Sequence, residues 1–216
     1  MDPYVYPGTS VLRNLRDIRD PEQLSTAEAI ATTNRIAELR GETKLGKFDT
    51  RHLQSIHRYI FQDIYAWAGE FRTVDIGKSG DLFALKQHIV SNLDRTFGAL
   101  KTERYLSGAG LKGFCSRGAY YLGEINALHP FREGNGRTQR EFMRQLALRN
   151  GYVLSWSRVS REPMIDASKR SFRRDNVALE QLLKSALDNE QNRARDRRGR
   201  GDDWDRGALG VMNCSL

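Results

Sequence analysis

Residues 110–128 repeat apolar side chains at helical spacing, and the pattern stops abruptly at His129-Pro130. Wound at 100° per residue, Leu111, Phe114, Cys115, Leu122 and Ile125 fall within roughly 100° of one another, which predicts a core helix. Pro130 cannot continue that helix, and Gly134 and Gly136 keep the next few residues out of helical geometry. Helical periodicity then resumes over 136–150. A buried helix, a glycine-punctuated loop and a second helix commit the middle of the chain to helix-on-helix packing.

The flanking segments agree. Ser25 as N-cap, with Glu28 three residues on, predicts a helix from Ser25 to about Leu39. From Asp49 to Ala68, Leu53, Ile56, Ile60, Ile64 and Trp67 form one stripe, ended by Gly69. Further helices are expected at about 85–103, 158–170 and 176–190. Two short β-prone runs, Phe71–Ile76 and Asp81–Phe83, bracket Gly77-Lys78-Ser79-Gly80 and predict a β-hairpin. The expected architecture is mainly α, with an irregular arm over 1–24, one domain over 25–190 and an Arg/Gly/Asp-rich tail or linker over 191–216.

Composition narrows the function classes. With 39% hydrophobic and 29% charged residues, the chain suits a globular domain and not a disordered one. No stretch approaches the ~20 apolar residues of a membrane span, and the start lacks a secretion signal, so a cytoplasmic protein is expected. Cys115 and Cys214 are too far apart in sequence to read as a disulfide framework or a zinc site. The net charge of +8 invites a nucleic-acid reading. Its distribution argues otherwise: residues 129–174 carry eleven basic and four acidic side chains, while the rest of the chain is almost neutral.

That basic segment opens with His129-Pro-Phe-Arg-Glu133-Gly-Asn-Gly-Arg137-Thr-Gln-Arg140. Gly134, Asn135 and Gly136 leave backbone N–H groups free to converge at a helix N-terminus, an anion site aided by the helix dipole. Glu133 can hold a divalent cation together with phosphate oxygens. Arg137 and Arg140, three residues apart, share a helix face, with Arg144 about 60° away. His129 stands at the loop mouth, where a neutral imidazole can take a proton from a hydroxyl. Each element alone has an ordinary structural explanation; their conjunction within twelve residues points to a nucleotide polyphosphate.

The same twelve residues resemble, at every fixed position, the signature His-x-Phe-x-Asp/Glu-Gly-Asn-Gly-Arg-x-x-Arg of Fic (Fido-fold) adenylyltransferases. Ile56–Ile76 looks like the helix and flap entry of that family, and the resemblance covers about residues 50–190. It implies a Fic/Fido fold, a helical bundle with a β-hairpin flap over the active site. It also implies transfer of AMP from ATP to a Tyr, Thr or Ser hydroxyl of a target protein, with Mg²⁺ as cofactor. In that reading His129 is the base and Glu133 the metal ligand. Asn135 holds the α-phosphate and the N–H groups around Gly134 and Gly136 its oxygens, while Arg137 contacts the β-phosphate and Arg140 the γ-phosphate. Phe131 anchors the loop. The flap, about Thr73–Ala84, would dock the target as an added strand along Val74, Asp75 and Ile76, with Phe83 either clamping the incoming side chain or serving as ordinary core.

The resemblance also bears on partners. Fic enzymes are typically restrained by a helix bearing Ser/Thr-x-x-x-Glu-Gly/Asn, whose Glu pairs with the arginine corresponding to Arg140. Here Glu133, inside the loop itself, is the one Glu followed by Gly or Asn. A small antitoxin protein supplying that helix in trans is therefore expected, with a type II topoisomerase as one conceivable target. The alternatives are the Fic domain of a secreted effector modifying host GTPases, and a non-enzymatic basic nucleic-acid-binding module.

Overall fold

The computed structural model describes residues 2–41, 46–78, 81–187 and 192. Its helices run α1 Pro21–Gly41, α2 Thr50–Phe61, α3 Ile89–Thr102, α4 Gly110–Leu128, α5 Asn135–Arg149, α6 Arg161–Phe172 and α7 Val177–Leu187. Two short strands, β1 Gly77–Lys78 and β2 Asp81–Leu82, pair antiparallel, Gly77 opposite Leu82 and Lys78 opposite Asp81. The mainly helical expectation holds.

Helix α4 sits at the centre, packed against α3, α5, α6 and α7. Phe114, Cys115, Ala119, Tyr121, Leu122 and Ile125 are buried on it. Gly118 lets α5 and α7 close in: a Cβ there would stand 3.1 Å from the Met143 methyl and 3.3 Å from Leu183. The predicted bounds of α4 match those observed, because its apolar face and the following proline both define it.

Two boundaries differ from expectation. Helix α1 begins at Pro21, not Ser25: the Asp20 carboxylate accepts the Gln23 N–H at 2.8 Å, and proline at the first helical position needs no hydrogen-bond partner for its nitrogen. The residues before Pro21 are irregular, and they are packed against the domain, with Tyr4 and Val11 buried and a bridge from Val5 to Leu12. Helix α2 ends at Phe61, not near Ala68. Its start is capped by Asp49, which accepts the His52 N–H. Beyond Phe61 the chain goes into turns, where the Ile64 carbonyl accepts from Leu15 N–H and Arg35 grips Asp63 with two bonds of 2.7 and 2.9 Å. The turns keep Ile64 and Tyr65 buried, so the apolar stripe continued past the helix that it advertised.

Of the expected tail, Asn192 is described: its amide is bonded to the Val153 backbone at both nitrogen and carbonyl, and to the Leu187 carbonyl. The Arg-rich stretch from 193 and Cys214 lie outside the described residues. Cys115 is a buried free thiol, its pKa pushed up to about 11 by burial. Among the described residues no helix is long and apolar enough to cross a membrane.

Candidate active site

The end of α4, the 129–134 loop, the start of α5, the β1–β2 hairpin and α6 enclose a cleft of about 960 Å³. His129, Glu133, Asn135, Gly136, Arg140, Ile76 and Phe83 all line it, so most of the residues singled out from the sequence meet there.

His129 caps α4 in the left-handed conformation, φ 44° and ψ 60°, an uncommon state for a residue with a Cβ. Its Nδ1 lies 3.3 Å from the Asn126 carbonyl oxygen. A carbonyl only accepts, so Nδ1 carries a ring hydrogen and Nε2 is the nitrogen left for proton transfer when the ring is neutral. The Phe83 ring stacks on the imidazole at 3.9 Å and 15°, and Phe172 of α6 meets Phe83 edge-on at 5.7 Å. Phe83 therefore braces the histidine in addition to any contact with a target.

One residue that the sequence reading passed over holds this corner together. The Arg72 side chain is buried, and its guanidinium donates to the carbonyls of His129 (2.8 Å), Leu128 (3.2 Å), Val74 (2.7 Å) and Ala84. Its backbone N–H donates to the Pro130 carbonyl. Arg72 thus ties the carbonyl end of α4 to both ends of the hairpin, where the helix dipole favours a cation. Burial lowers its pKa, with Asp75, 3.7 Å away, acting the other way. The signal lay in an arginine placed between an apolar turn and the flap, but sequence alone does not show which carbonyls converge on it.

The loop is built on Phe131, which is buried. Asn135 closes it with both amide atoms, accepting from the Phe131 N–H (2.9 Å) and donating to the Phe131 carbonyl (2.7 Å). The side chain expected to hold an α-phosphate is thus occupied in shaping the loop. Gly134 has φ +80°, and a Cβ on it would come within 2.2 Å of the Phe61 ring. Only glycine fits there. The Glu133 carboxylate turns back to accept the Gly134 N–H at 2.8 Å.

The arginines separate. Arg137 is absent from the cleft wall: it donates to Glu28 of α1 (2.6 Å) and Thr32 (3.2 Å), with Glu133 3.5 Å off and the Phe61 ring beneath it at 4.7 Å. Tyr65 donates its hydroxyl to the same Glu28. Arg144 pairs with Glu141 and the Leu39 carbonyl. Arg140 alone of the three lines the cleft, largely enclosed and with no ion pair among the described residues. Burial and the neighbouring Arg137 charge lower its pKa. Arg132, also on the cleft wall, pairs with Asp2 at 2.8 Å. Part of the basic excess of 129–174 is therefore matched to carboxylates from elsewhere in the chain, Arg137 to Glu28, Arg132 to Asp2 and Arg170 to Asp175.

The hairpin is shorter than the expected flap. Beyond the two paired residues on each side, the Phe83 N–H reaches the Ile76 carbonyl at 3.2 Å, and the Asp75 carboxylate accepts the Lys86 N–H at 2.7 Å. Val74 contributes its carbonyl to Arg72.

The family model for Fic/DOC matches residues 47–147, the span holding α2, the hairpin and the loop. A probable protein adenylyltransferase of Sinorhizobium fredii, y4lH, is 39% identical over 82% of this chain and 92% of its own length. The chain belongs to the Fic/DOC family. The protein adenylyltransferase VbhT of Bartonella schoenbuchensis is 42% identical over 86% of this chain, which spans only 39% of VbhT. Among solved structures, the Bartonella tribocorum effector BepC with bound AMPPNP superposes with a TM-score of 0.81 at 25% identity, covering 85% of this chain and 95% of that one. This Fic chain shares its helical architecture with a protein caught holding an ATP analogue.

The Fic loop also bears on a divalent cation. Among the described residues no three His, Cys, Asp or Glu side chains gather as a metal cage. A single carboxylate beside a helix N-terminus is what Mg²⁺ needs when substrate phosphates and water complete its shell. The residues present fit that ion and do not fit a structural zinc.

Proposed function

We propose that this chain is a protein adenylyltransferase, moving AMP from ATP to a Tyr, Thr or Ser hydroxyl of a target protein. The observation that carries the reading is His129, in the tautomer set by Asn126, on the wall of the same cleft as the first turn of α5. His129 takes the proton of the target hydroxyl at Nε2, and the freed oxygen attacks the α-phosphorus. The bond from that phosphorus to the bridging oxygen breaks, and pyrophosphate leaves with the electron pair. Backbone N–H groups at the start of α5 and the Arg140 guanidinium meet the phosphate charge, since such transfers depend on positioning and neutralisation. Glu133 is the ligand for Mg²⁺, which when bound neutralises phosphate charge.

Target docking belongs to the hairpin, where an extended segment would add along residues 74–76 with its hydroxyl toward Phe83 and His129. Arg140, open to the cleft, suits a carboxylate brought by a small inhibitory protein, which is the regulation we propose, with the chain acting in the bacterial cytoplasm as the toxin of such a pair. The likeness to BepC, described as VirB-translocated, supports a second reading as the Fic part of a translocated effector. Nucleic acid is not proposed as a partner.

The test is incubation with α-labelled ATP, Mg²⁺ and bacterial lysate, alongside His129→Ala. Labelled bands lost in the variant are expected. Bands persisting unchanged would overturn the assignment of the base. Label carried equally by γ-labelled ATP would overturn AMP transfer.

A further inference from the structure

His57 takes no part in the chemistry above, yet it is completely buried behind the loop. Its ring stacks on Phe131 at 3.9 Å and 13°, and on Phe61 at 4.6 Å and 26°. Both ring nitrogens are engaged. The Gly69 N–H donates to Nδ1 at 2.8 Å, so the ring hydrogen is on Nε2, which donates to the Glu133 carbonyl at 3.0 Å. A ring accepting at one nitrogen and donating at the other is neutral, and burial holds its pKa down to about 4.

The Glu133 carbonyl belongs to the Glu133–Gly134 peptide. In a trans peptide C=O and N–H point in opposite directions. Fixing the carbonyl toward His57 therefore aims the Gly134 N–H away from the core, and this N–H is the one that holds the Glu133 carboxylate. The Gly134 α-carbon lies against Phe61, a ring that itself stacks on His57. The peptide is gripped on its carbonyl side by an imidazole and at its α-carbon by an aromatic face.

We propose that His57 is a positioning residue for the cation site, setting the orientation of the Glu133–Gly134 peptide and through it the metal-ligating carboxylate. This rests on the reading of Glu133 as the cation ligand. His57→Phe keeps a ring for stacking but removes both hydrogen bonds. His57→Gln removes the ring but keeps a donor and an acceptor.

The experiment is Mn²⁺ binding to the full chain in the presence of the non-hydrolysable analogue AMPPNP, followed by the electron paramagnetic resonance of free Mn²⁺. His57→Phe is expected to weaken Mn²⁺ at least tenfold, as Glu133→Gln does, while metal-free AMPPNP binds within about threefold of wild type. His57→Gln should recover most of the Mn²⁺ affinity. A folded His57→Phe chain that binds Mn²⁺ as wild type does would overturn the proposal.

A measurement on the unmutated histidine covers the case in which the Phe variant fails to fold. A slowly exchanging proton on the His57 Nε2, seen by nitrogen NMR, should shift when Mg²⁺ joins bound AMPPNP, and should stay put in Glu133→Gln. No such response in the wild-type chain refutes the coupling. Failure of the underlying reading looks different: wild type and Glu133→Gln would then bind Mn²⁺ alike.

Discussion

Phe83 lies face to face with His129, ring centroids 3.9 Å apart and planes 15° from parallel. One side chain leaves the hairpin and the other ends α4, so in the proposed mechanism target docking and the attitude of the base would be mechanically joined. Aromatic stacking contributes about 0.5–1.5 kcal/mol beyond burial, and it adds to the 3.3 Å bond to Asn126 in fixing the ring. Phe83→Leu should lower kcat for adenylylation by roughly tenfold with the KM for ATP almost unchanged. Phe83→Tyr should retain activity. A Leu variant altered only in the KM for the target would assign Phe83 to docking alone.

Arg72 makes the complementary prediction. Its guanidinium satisfies four carbonyls in a buried corner, and Lys cannot reproduce that fork. Arg72→Lys should lower the unfolding free energy by about 2–4 kcal/mol and open the hairpin to proteolysis near residues 74–84. Urea denaturation and limited proteolysis measure both. A variant as stable as wild type and cut no faster would show that the corner is held by other contacts.

Gly134 is constrained twice, by φ +80° and by the Phe61 ring 2.2 Å from where a Cβ would stand. Gly134→Ala should cost about 2–4 kcal/mol of stability and abolish transfer. Adding Phe61→Leu relieves the collision but not the dihedral strain, so rescue should be partial. Full rescue in thermal melts and activity assays would leave the collision as the sole constraint.

What the sequence disclosed was whatever periodicity or local chemistry encodes. The bounds of α4 follow from its apolar face and Pro130, and the loop from its two glycines. Arg72 and His57 were invisible because their partners are backbone carbonyls and amides brought in from distant segments, and a carbonyl has no letter in the sequence. Asn135 and Arg137 show the converse, contacts that residue type does not disclose. Their residue types suit phosphate, but a side chain has few bonds to give, and the fold directs those of Asn135 to Phe131 and those of Arg137 to Glu28. The early end of α2 was hidden because turns can bury the same side that a helix would.

His57 gives the chain an acid-sensitive fold. Its pKa is depressed to about 4 in the folded state against about 6.5 in an unfolded chain. Between these values the unfolded state binds more protons, so stability falls as pH drops from about 6.5 toward 4. The loss approaches about 3 kcal/mol, at 1.36 kcal/mol per pKa unit. His52, whose pKa is also lowered by burial, adds in the same direction. Urea midpoints taken from pH 7 to pH 4 should show this slope, and His57→Gln should flatten it. An unchanged slope in that variant would mean that His57 is not the group responsible.

Arg137 decides between two roles. Its family position suits a phosphate ligand, whereas here it is held by Glu28, itself bonded to Tyr65, with Phe61 beneath the guanidinium. Removing the arginine leaves Glu28, part-buried, with the Tyr65 hydroxyl in place of a cation, a loss of about 1.5–3 kcal/mol. Arg137→Met should therefore destabilise strongly, Glu28→Gln less because the amide oxygen still accepts, and the double variant by less than the sum, with a coupling of about 1–3 kcal/mol. Arg140→Ala should do the reverse, leaving stability near wild type while raising the KM for ATP. If Arg137→Met melts like wild type and instead raises the KM for ATP, the guanidinium must leave Glu28 for the nucleotide during turnover. The ion pair to α1 would then be a resting contact, broken each time ATP binds.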